Sequence, residues 1–326
     1  MSKNKHSVSI VIPSWNGKVL LQRFLPSVIE ACKFYDGESE IIIVDDGSDD
    51  GTEIFIHENY PHVRFIKLSS NQGFPRACNA GIKEANGDII ILLNNDMLVE
   101  KDFLIFLLEH FENEKVFGVR PGLKWLDDKT NFDFSSFFIG LKWKWGLVEL
   151  PMLKVQDRKR PFYTACVSGG AGAFERRKWL EIGGFDESFS PFYWEDVDIS
   201  YRAWKRGWIL LYEPRSRVYH LPNSTIRRFF GPNYIKEISE RNRYFLVWKN
   251  IQDPMFILYH LLFIPLRILI SLLPTQFYKL KGFILALRQL DRIIEGRNKE
   301  RQNSIRTDQE IFGFFSNLMK GAKPWT

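Results

Sequence analysis

Ser7 to Ile12 is a β-branched run that ends at Pro13, and the apolar positions from Lys18 to Ala31 then recur at helical spacing. The alternation continues. Glu40 to Val44 is a continuous apolar run that stops at Asp45 and Asp46, followed by a helix from about Thr52. A strand over Val63 to Leu68, a helix over Pro75 to Ala85 and a strand over Asp88 to Leu93 complete the series. Continuous apolar strands separated by helices predict an α/β fold whose mostly parallel sheet carries helices on both faces.

A different signal occupies Gly183 to Gly207. Behind the aromatic run Phe192, Tyr193 and Trp194, the residues Val197, Tyr201 and Trp204 recur at helical spacing, and Gly207 closes that helix. Glu195, Asp196 and Asp198 fall in its first turn, where the macrodipole favours acids, and Asp198 lies one turn before Arg202. Capping alone would account for these acids unless a second acidic site holds a substrate for them.

Beyond Asp253 the pattern changes again. Met255 to Leu273 is near the length of a membrane span, but His260, Pro265 and Arg267 interrupt it. Tyr278 to Ile294 reads as one amphipathic helix, with Leu280, Ile284, Leu287 and Ile294 on one side and Lys281, Arg288 and Arg292 on another.

Composition sharpens this division. With 326 residues and 45% hydrophobic content, the chain suits one large domain and an appendage. From Arg227 to Thr326 there are 17 Lys and Arg against 8 Asp and Glu, which leaves 28 against 31 in the first 226 residues. The basic character belongs to the tail. No zinc-finger, RNA-binding or helix-turn-helix pattern accompanies it, so nucleic acid is not an expected partner. A basic tail rich in Leu, Ile and Phe points instead to an anionic membrane surface, with packing on the core or on a second copy as the alternative. The opening MSKNKHSVSIVIPSW reads as a strand rather than a signal peptide. Cys32, Cys78 and Cys166 fit neither a zinc nor a disulfide pattern, which suits a cytoplasmic setting.

In doubly wound sheets ligands lie at the carboxyl ends of the strands. Those ends carry Pro13, Ser14, Trp15 and Asn16; Asp45, Asp46, Gly47 and Ser48; Asn71, Gln72 and Gly73; and Asn94, Asn95 and Asp96. Neither a G-x-G-x-x-G turn nor a Walker A loop is present, so an acid bridged by a divalent ion is the natural holder of a pyrophosphate.

The segments VSIVIPSWN, IIIVDDGSDDGT, NQGFPRACNAGI, GDIIILLNNDM, SGGAGAFERRKWLEIGGFDESF and YWEDVDISYRAWKRG together resemble family 2 glycosyltransferases, most closely their rhamnosyltransferase-like branch in bacterial surface-glycan assembly. The resemblance runs from about Ser7 to Ser224, with a further family-like ERNRYFLVWKN at Glu240 to Asn250. It implies a GT-A, Rossmann-like fold over residues 1–226, divided near 119 into a nucleotide-binding half and an acceptor and catalytic half. Residues 227–326 then form a helical, membrane-associating extension.

The resemblance also implies the chemistry: inverting transfer of a sugar from a nucleotide diphosphate, with dTDP-rhamnose the family-weighted donor, to a lipid-linked or growing glycan at the inner face of the cytoplasmic membrane. Asp45 and Asp46, with Pro13, Ser14 and Trp15, would hold the nucleoside, and Asn79, Asn94, Asn95 and Gly170 would line the rest of the donor site. Asp96 would ligate Mg²⁺ or Mn²⁺ with His220, although Asn94 replaces the first acid of the family's D-x-D motif. Asp196 falls at the general-base position beside Glu195, and Trp194 would stack on the acceptor. Each has a plainer rival: a strand-to-turn junction for the three aspartates, a structural histidine for His220, close helix packing for Gly169, Gly170 and Gly172. The segment from Arg120 to Pro161 carries Phe137, Phe138, Trp143 and Trp145 among lysines and fits an acceptor-side wall as well as a membrane-facing loop. A nucleotidyltransferase of similar fold and a non-catalytic scaffold of a glycan-assembly complex are the other classes compatible with these residues.

Overall fold

The computed structural model describes residues 5–126, 134–155, 157–221, 226–321 and 325; residues 222–225, the end of VYHLPNST, lie outside these. Strands β1 (Val8–Ser14), β2 (Ser39–Asp45), β3 (Arg64–Lys67) and β4 (Ile89–Leu93) form where the apolar runs place them. Helices α1 (Lys18–Phe34), α2 (Thr52–Asn59) and α3 (Phe74–Glu84) alternate with them. All four strands are parallel, in the order β4-β1-β2-β3. Every residue of β1 is buried, because helices cover both faces and no position is left for a solvent-facing polar residue. Alternate residues feed two apolar layers: Val11, Ile42 and Leu92 enter one, Ile10, Ile43 and Ile91 the other.

The second half of the sheet is mixed. It comprises β5 (Met97–Val99), α4 (Phe103–Leu108), β6 (Val116–Trp125) and the short strands β7 (Phe137–Ile139), β8 (Lys142–Lys144), β9 (Leu147–Glu149), β10 (Met152–Lys154) and β11 (Phe162–Tyr163). There follow β12 (Ala171–Glu175), α5 (Arg176–Ile182), α6 (Glu195–Lys205) and β13 (Ile209–His220). The parallel character expected for the sheet is thus confined to β1–β4 and the β6–β13 pair, since β12 runs antiparallel between β4 and β6. Its first residue, Ala171, lies opposite Leu93, so the turn before it stands at the carboxyl end of β4.

The tail continues with α7 (Ile226–Phe229), α8 (Pro232–Asn250), α9 (Pro254–Ser271), α10 (Phe277–Leu287), α11 (Leu290–Asn303) and α12 (Asp308–Lys320). Contacts cross the boundary expected at 226. Ile238, Phe245, Leu246 and Val247 of α8 are buried, and Asp308 at the start of α12 accepts hydrogen bonds from Tyr201 (2.6 Å) and Lys205 (3.0 Å) of α6. The single helix expected over 278–294 is two, broken at Arg288 and Gln289. Its apolar stripe does not face the core: Ile284, Leu287 and Ile294 are exposed, whereas Gly282 and Ala286 are buried. Gly282 explains the inversion, because a Cβ there would lie 2.8 Å from Glu240 Cβ, so α10 approaches α8 through its smallest residues.

The segment 137–155 folds into two small antiparallel ribbons, β7 with β10 and β8 with β9. Phe138 is buried against Phe162, Trp143 packs on Phe256 and Phe312, and Trp145 is exposed at the β8–β9 tip. That tip rests on α9, where His260 Nδ1 donates to the Gly146 carbonyl (2.6 Å) and Trp248 donates to His260 Nε2 (2.8 Å).

Candidate functional site

The carboxyl ends of β1, β2 and β4 meet as a set. Pro13 pairs with Val44 and Ser14 with Asp45 in the β1–β2 register. Asn95, just past β4, donates to Ser14 Oγ at 2.9 Å, tying two strand ends together. Asp45 is fully buried; Ser48 N–H donates to its Oδ2 at 3.2 Å, while its Oδ1 has no partner among the described residues. Asp46 accepts from Gln72 N–H (2.7 Å) and Gly73 N–H (2.9 Å), so it also holds the loop after β3. Burial pushes both carboxyls upward, opposed by these hydrogen bonds. Trp15 faces the tail, with its ring 4.5 Å from that of Phe229. Asn79 lies apart from this set in its contacts: its amide donates to Phe185 O (2.9 Å) and accepts from Phe185 N–H (3.0 Å), which bridges α3 to the loop before α6.

Asp96 and His220 come together from different parts of the sheet. β13 pairs antiparallel with β5 so that His220 lies opposite Met97, and His220 Nε2 is 3.2 Å from Asp96 Oδ2. Trp125 stacks on the histidine at 4.9 Å. Asn94 sits beside them: its N–H donates to Gly170 O at 2.8 Å, and a Cβ on Gly170 would lie 2.8 Å from its side-chain nitrogen. Gly170 therefore serves close approach. A carboxylate oxygen and an imidazole nitrogen converging in this way suit Mn²⁺ or Mg²⁺ bridged to phosphate, so the residues fit the expected ion. A second cluster, Glu109, His110 and Glu213, has ligand-type atoms within 4.8 Å of one another, yet Arg215 already donates to Glu213 at 2.7 Å. That cation supplies the positive charge, and the cluster is separate from the strand-end site.

The same turn that holds Asn94 reaches the opening acid of α6. Gly169 N–H lies 3.4 Å from Asp196 Oδ2, and Val197 N–H donates to Oδ1 at 2.8 Å. Asp196 borders a cavity of about 410 Å³ that is also lined by Arg120, Ser168, Trp194 and Ser239. Glu195 points elsewhere: it is buried, and its Oε2 has no partner among the described residues. Burial raises the pKa of both, Glu195 well above the usual range, and repulsion from Asp196 adds to it. For Asp196 the backbone N–H groups and the Arg120 charge work in the opposite direction. Asp196 is thus the acid that borders the cavity, whereas Glu195 is buried and is not among the cavity's lining residues.

Trp194 caps α6 in a left-handed conformation (φ 72°), directly after Tyr193 at φ 71°. Two consecutive non-glycine residues in this region need outside support. It comes from α8, within the ERNRYFLVWKN segment. Ser239 Oγ accepts from Trp194 Nε1 at 3.0 Å, and Asn242 donates to the carbonyls of Phe189, Phe192 and Tyr193. Lys249 and Asn250 hold Asp198 at 3.1 and 2.8 Å, alongside the anticipated Arg202 pair at 2.7 Å. Arg120, Ser239 and Asn242 carry no expected role in the sequence reading. For Arg120 a signal existed: it is a lone charge within the otherwise apolar run VFGVRPGL.

A family model described as glycosyl transferase family 2 matches residues 9–182. The chain belongs to glycosyl transferase family 2. Among family relatives, the chain is 29% identical over 228 residues to N-acetylgalactosaminyltransferase 6 of Drosophila melanogaster, covering 66% of this chain and 34% of that protein. It is 24% identical over 222 residues to poly-beta-1,6-N-acetyl-D-glucosamine synthase of Staphylococcus aureus (strain COL), covering 67% and 51%. The chain therefore spans about a third to a half of these curated relatives. A crystal structure of GalNAc-T7 with UDP, GalNAc and Mn²⁺ superposes with a TM-score of 0.67 at 19% identity, covering 96% of this chain and 58% of that one. The fold is GT-A, as the motif resemblance implies.

Proposed function

We propose that this family 2 member is an inverting glycosyltransferase that moves a sugar from a nucleotide diphosphate to an acceptor hydroxyl in the cavity beside Asp196. The observation that carries the reading is the turn at 168–170, which joins the two chemical sites: its Gly170 carbonyl holds Asn94 next to Asp96, and its Gly169 N–H meets Asp196. In one direct displacement the acceptor oxygen bonds to the anomeric carbon, the bond from that carbon to the diphosphate oxygen breaks with its electron pair, and the hydroxyl proton passes to Asp196. Base catalysis of this kind contributes roughly 10² to 10⁴ in rate. A divalent ion held by Asp96 and His220 would stabilise the leaving diphosphate electrostatically. Buried and lacking a hydrogen-bond partner at Oε2, Glu195 keeps its proton and shields Asp196 from a second negative charge.

For the donor, dTDP-rhamnose is the reading the motif resemblance carries, against the UDP of the GalNAc-T7 structure. For the acceptor, a lipid-linked or growing surface glycan fits the outer face of the tail. α9 is, among the described residues, the helix long and apolar enough to cross a membrane, with mean hydropathy 1.8. Its Leu262 and Leu269 are 67% and 65% exposed, while His260 turns to the protein. One side of α9 is therefore covered, which favours attachment in the plane of the inner leaflet of the cytoplasmic membrane over a span. Ile139 of β7 and Leu150 between β9 and β10 line the acceptor cavity, and the neighbouring β8–β9 tip rests on α9, which supports an acceptor that arrives from the membrane side. Family membership favours sugar transfer over nucleotidyl transfer, and Asp96 and Asp196 argue against a scaffold that has lost its acids.

Release of free nucleoside diphosphate from a panel of UDP-, GDP- and dTDP-sugars, with and without Mn²⁺, tests the reading. Divalent-dependent release from at least one donor is expected, and its absence from all of them with the folded protein would overturn the transferase assignment.

A further inference from the structure

We propose that Arg120 makes the acceptor cavity selective for an acidic acceptor, a sugar or polyol unit that carries a carboxylate or phosphate near the hydroxyl to be glycosylated. The inference rests on the reading that the cavity beside Asp196 receives the acceptor.

Arg120 lies in the middle of β6, between β12 and β13, and is only 7% exposed. Its register partner is Tyr212, and the guanidinium carbon sits 5.4 Å from the centre of that ring. Nη1 donates to the Phe137 carbonyl at 3.2 Å. These contacts fix the plane of the guanidinium and use one of its five donors. No carboxylate among the described residues lies within ion-pair distance of it. Other buried cations here are treated differently. Arg202 holds Asp198 at 2.7 Å, Lys205 holds Asp308 at 3.0 Å and Arg206 holds Glu300 at 2.6 Å. Arg241, buried to the same extent, spends its donors on Asn242 Oδ1 and on the carbonyls of Phe189 and Ser190.

A buried cation with no carboxylate in ion-pair contact among the described residues is costly, and the cavity is where one can enter. The guanidinium fork matches a carboxylate or phosphate in two parallel hydrogen bonds. The remaining walls are complementary to a sugar: Tyr193 and Trp194 offer aromatic faces, and Ser168 and Ser239 offer hydroxyls. Asp196 is beyond ion-pair distance of Arg120 and repels an anion, so the acidic group sits on the Arg120 side while the reacting hydroxyl faces Asp196. This orients the acceptor as well as selecting it.

The test is ligand-observed NMR with D-glucuronate, D-glucose 6-phosphate and D-glucose at matched ionic strength, with and without UDP or dTDP and Mg²⁺. Wild-type protein is expected to bind one or both acids at least about tenfold more tightly than glucose, the size of effect a charge-assisted bidentate contact supplies. Preference for glucuronate alone assigns a carboxylate, and preference for the phosphate ester alone assigns a phosphate. Arg120→Lys should reduce the preference severalfold while nucleotide affinity stays at the wild-type value. Equal binding of all three sugars to wild type overturns the proposal whatever the variant does, and an acid preference retained in full by folded Arg120→Lys overturns the role of Arg120. The nucleotide arm reads separately: failure of every nucleoside diphosphate to bind would count against the transferase reading, not against the acid preference.

Discussion

Asn242 of α8 donates to the carbonyl of Tyr193 at 2.8 Å, and so a helix of the tail fixes the backbone that presents Asp196. The same amide nitrogen reaches the carbonyls of Phe189 (2.8 Å) and Phe192 (3.1 Å), spanning the loop that enters α6. Asn242→Ala removes a buried amide whose two hydrogens are shared among three carbonyls, of which Phe189 O keeps a donor in Arg241. A stability loss of about 1–3 kcal/mol is expected by denaturant unfolding, with kcat falling by more than donor affinity because the loop carries Trp194 and Asp196. A variant with wild-type kcat would show that the loop holds its shape unaided.

Asp196→Asn keeps the shape and, through its remaining oxygen, the contact with Val197 N–H, but puts an NH2 group that can neither accept from Gly169 N–H nor take a proton where the second oxygen stood. The variant should fold, bind nucleoside diphosphate nearly as well as wild type, and lose transfer by about two orders of magnitude or more. Transfer within a few-fold of wild type at saturating donor would move the base to another residue.

Glu195 makes a prediction of opposite kind, about stability. Burial and the neighbouring Asp196 raise its pKa well above that of the unfolded chain, so the folded state binds the proton more tightly. The contribution of this group is therefore most favourable below the unfolded carboxyl range and is lost as pH rises towards the folded value. Glu195→Gln removes the titration. Its Tm relative to wild type should climb between pH 4 and pH 8, and a difference that stays flat across that range would contradict the buried, protonated acid.

Asp96→Ala should abolish the divalent-ion enhancement of nucleotide binding, and His220→Ala should weaken it, because the two side chains meet at 3.2 Å. Calorimetry with and without Mn²⁺ reads both. Equal metal enhancement in Asp96→Ala and wild type would place the ion elsewhere.

The exposed face of α9 and α10 should bind anionic vesicles in preference to neutral ones, with salt reducing the difference. Cutting the chain after Asn250 would strip Asp308 from Tyr201 and Lys205, so point changes are the cleaner probe. Leu262→Glu with Leu269→Glu should lower vesicle binding at unchanged Tm. If binding is unaffected and light scattering instead shows a dimer that these changes dissociate, the face covers a second copy.

The strands and helices of the nucleotide half are legible in the chain because each is a local pattern: β1, β2 and β4 are continuous apolar runs, and α1 and α3 repeat at helical spacing. The acids are legible too, since Asp45, Asp46 and Asp96 stand at strand ends and Asp196 at a helix start, positions readable from their immediate neighbours. What joins them depends on packing between distant segments. Arg120 is set opposite Tyr212 by a sheet register between residues far apart in the chain and lines the same cavity as Asp196, and Asn242 reaches Tyr193 across about fifty residues. The inverted stripe of α10 is of the same origin: Gly282 marks the packed side because α8 needs close approach, a requirement set by the partner helix and absent from the hydrophobic period of α10 itself.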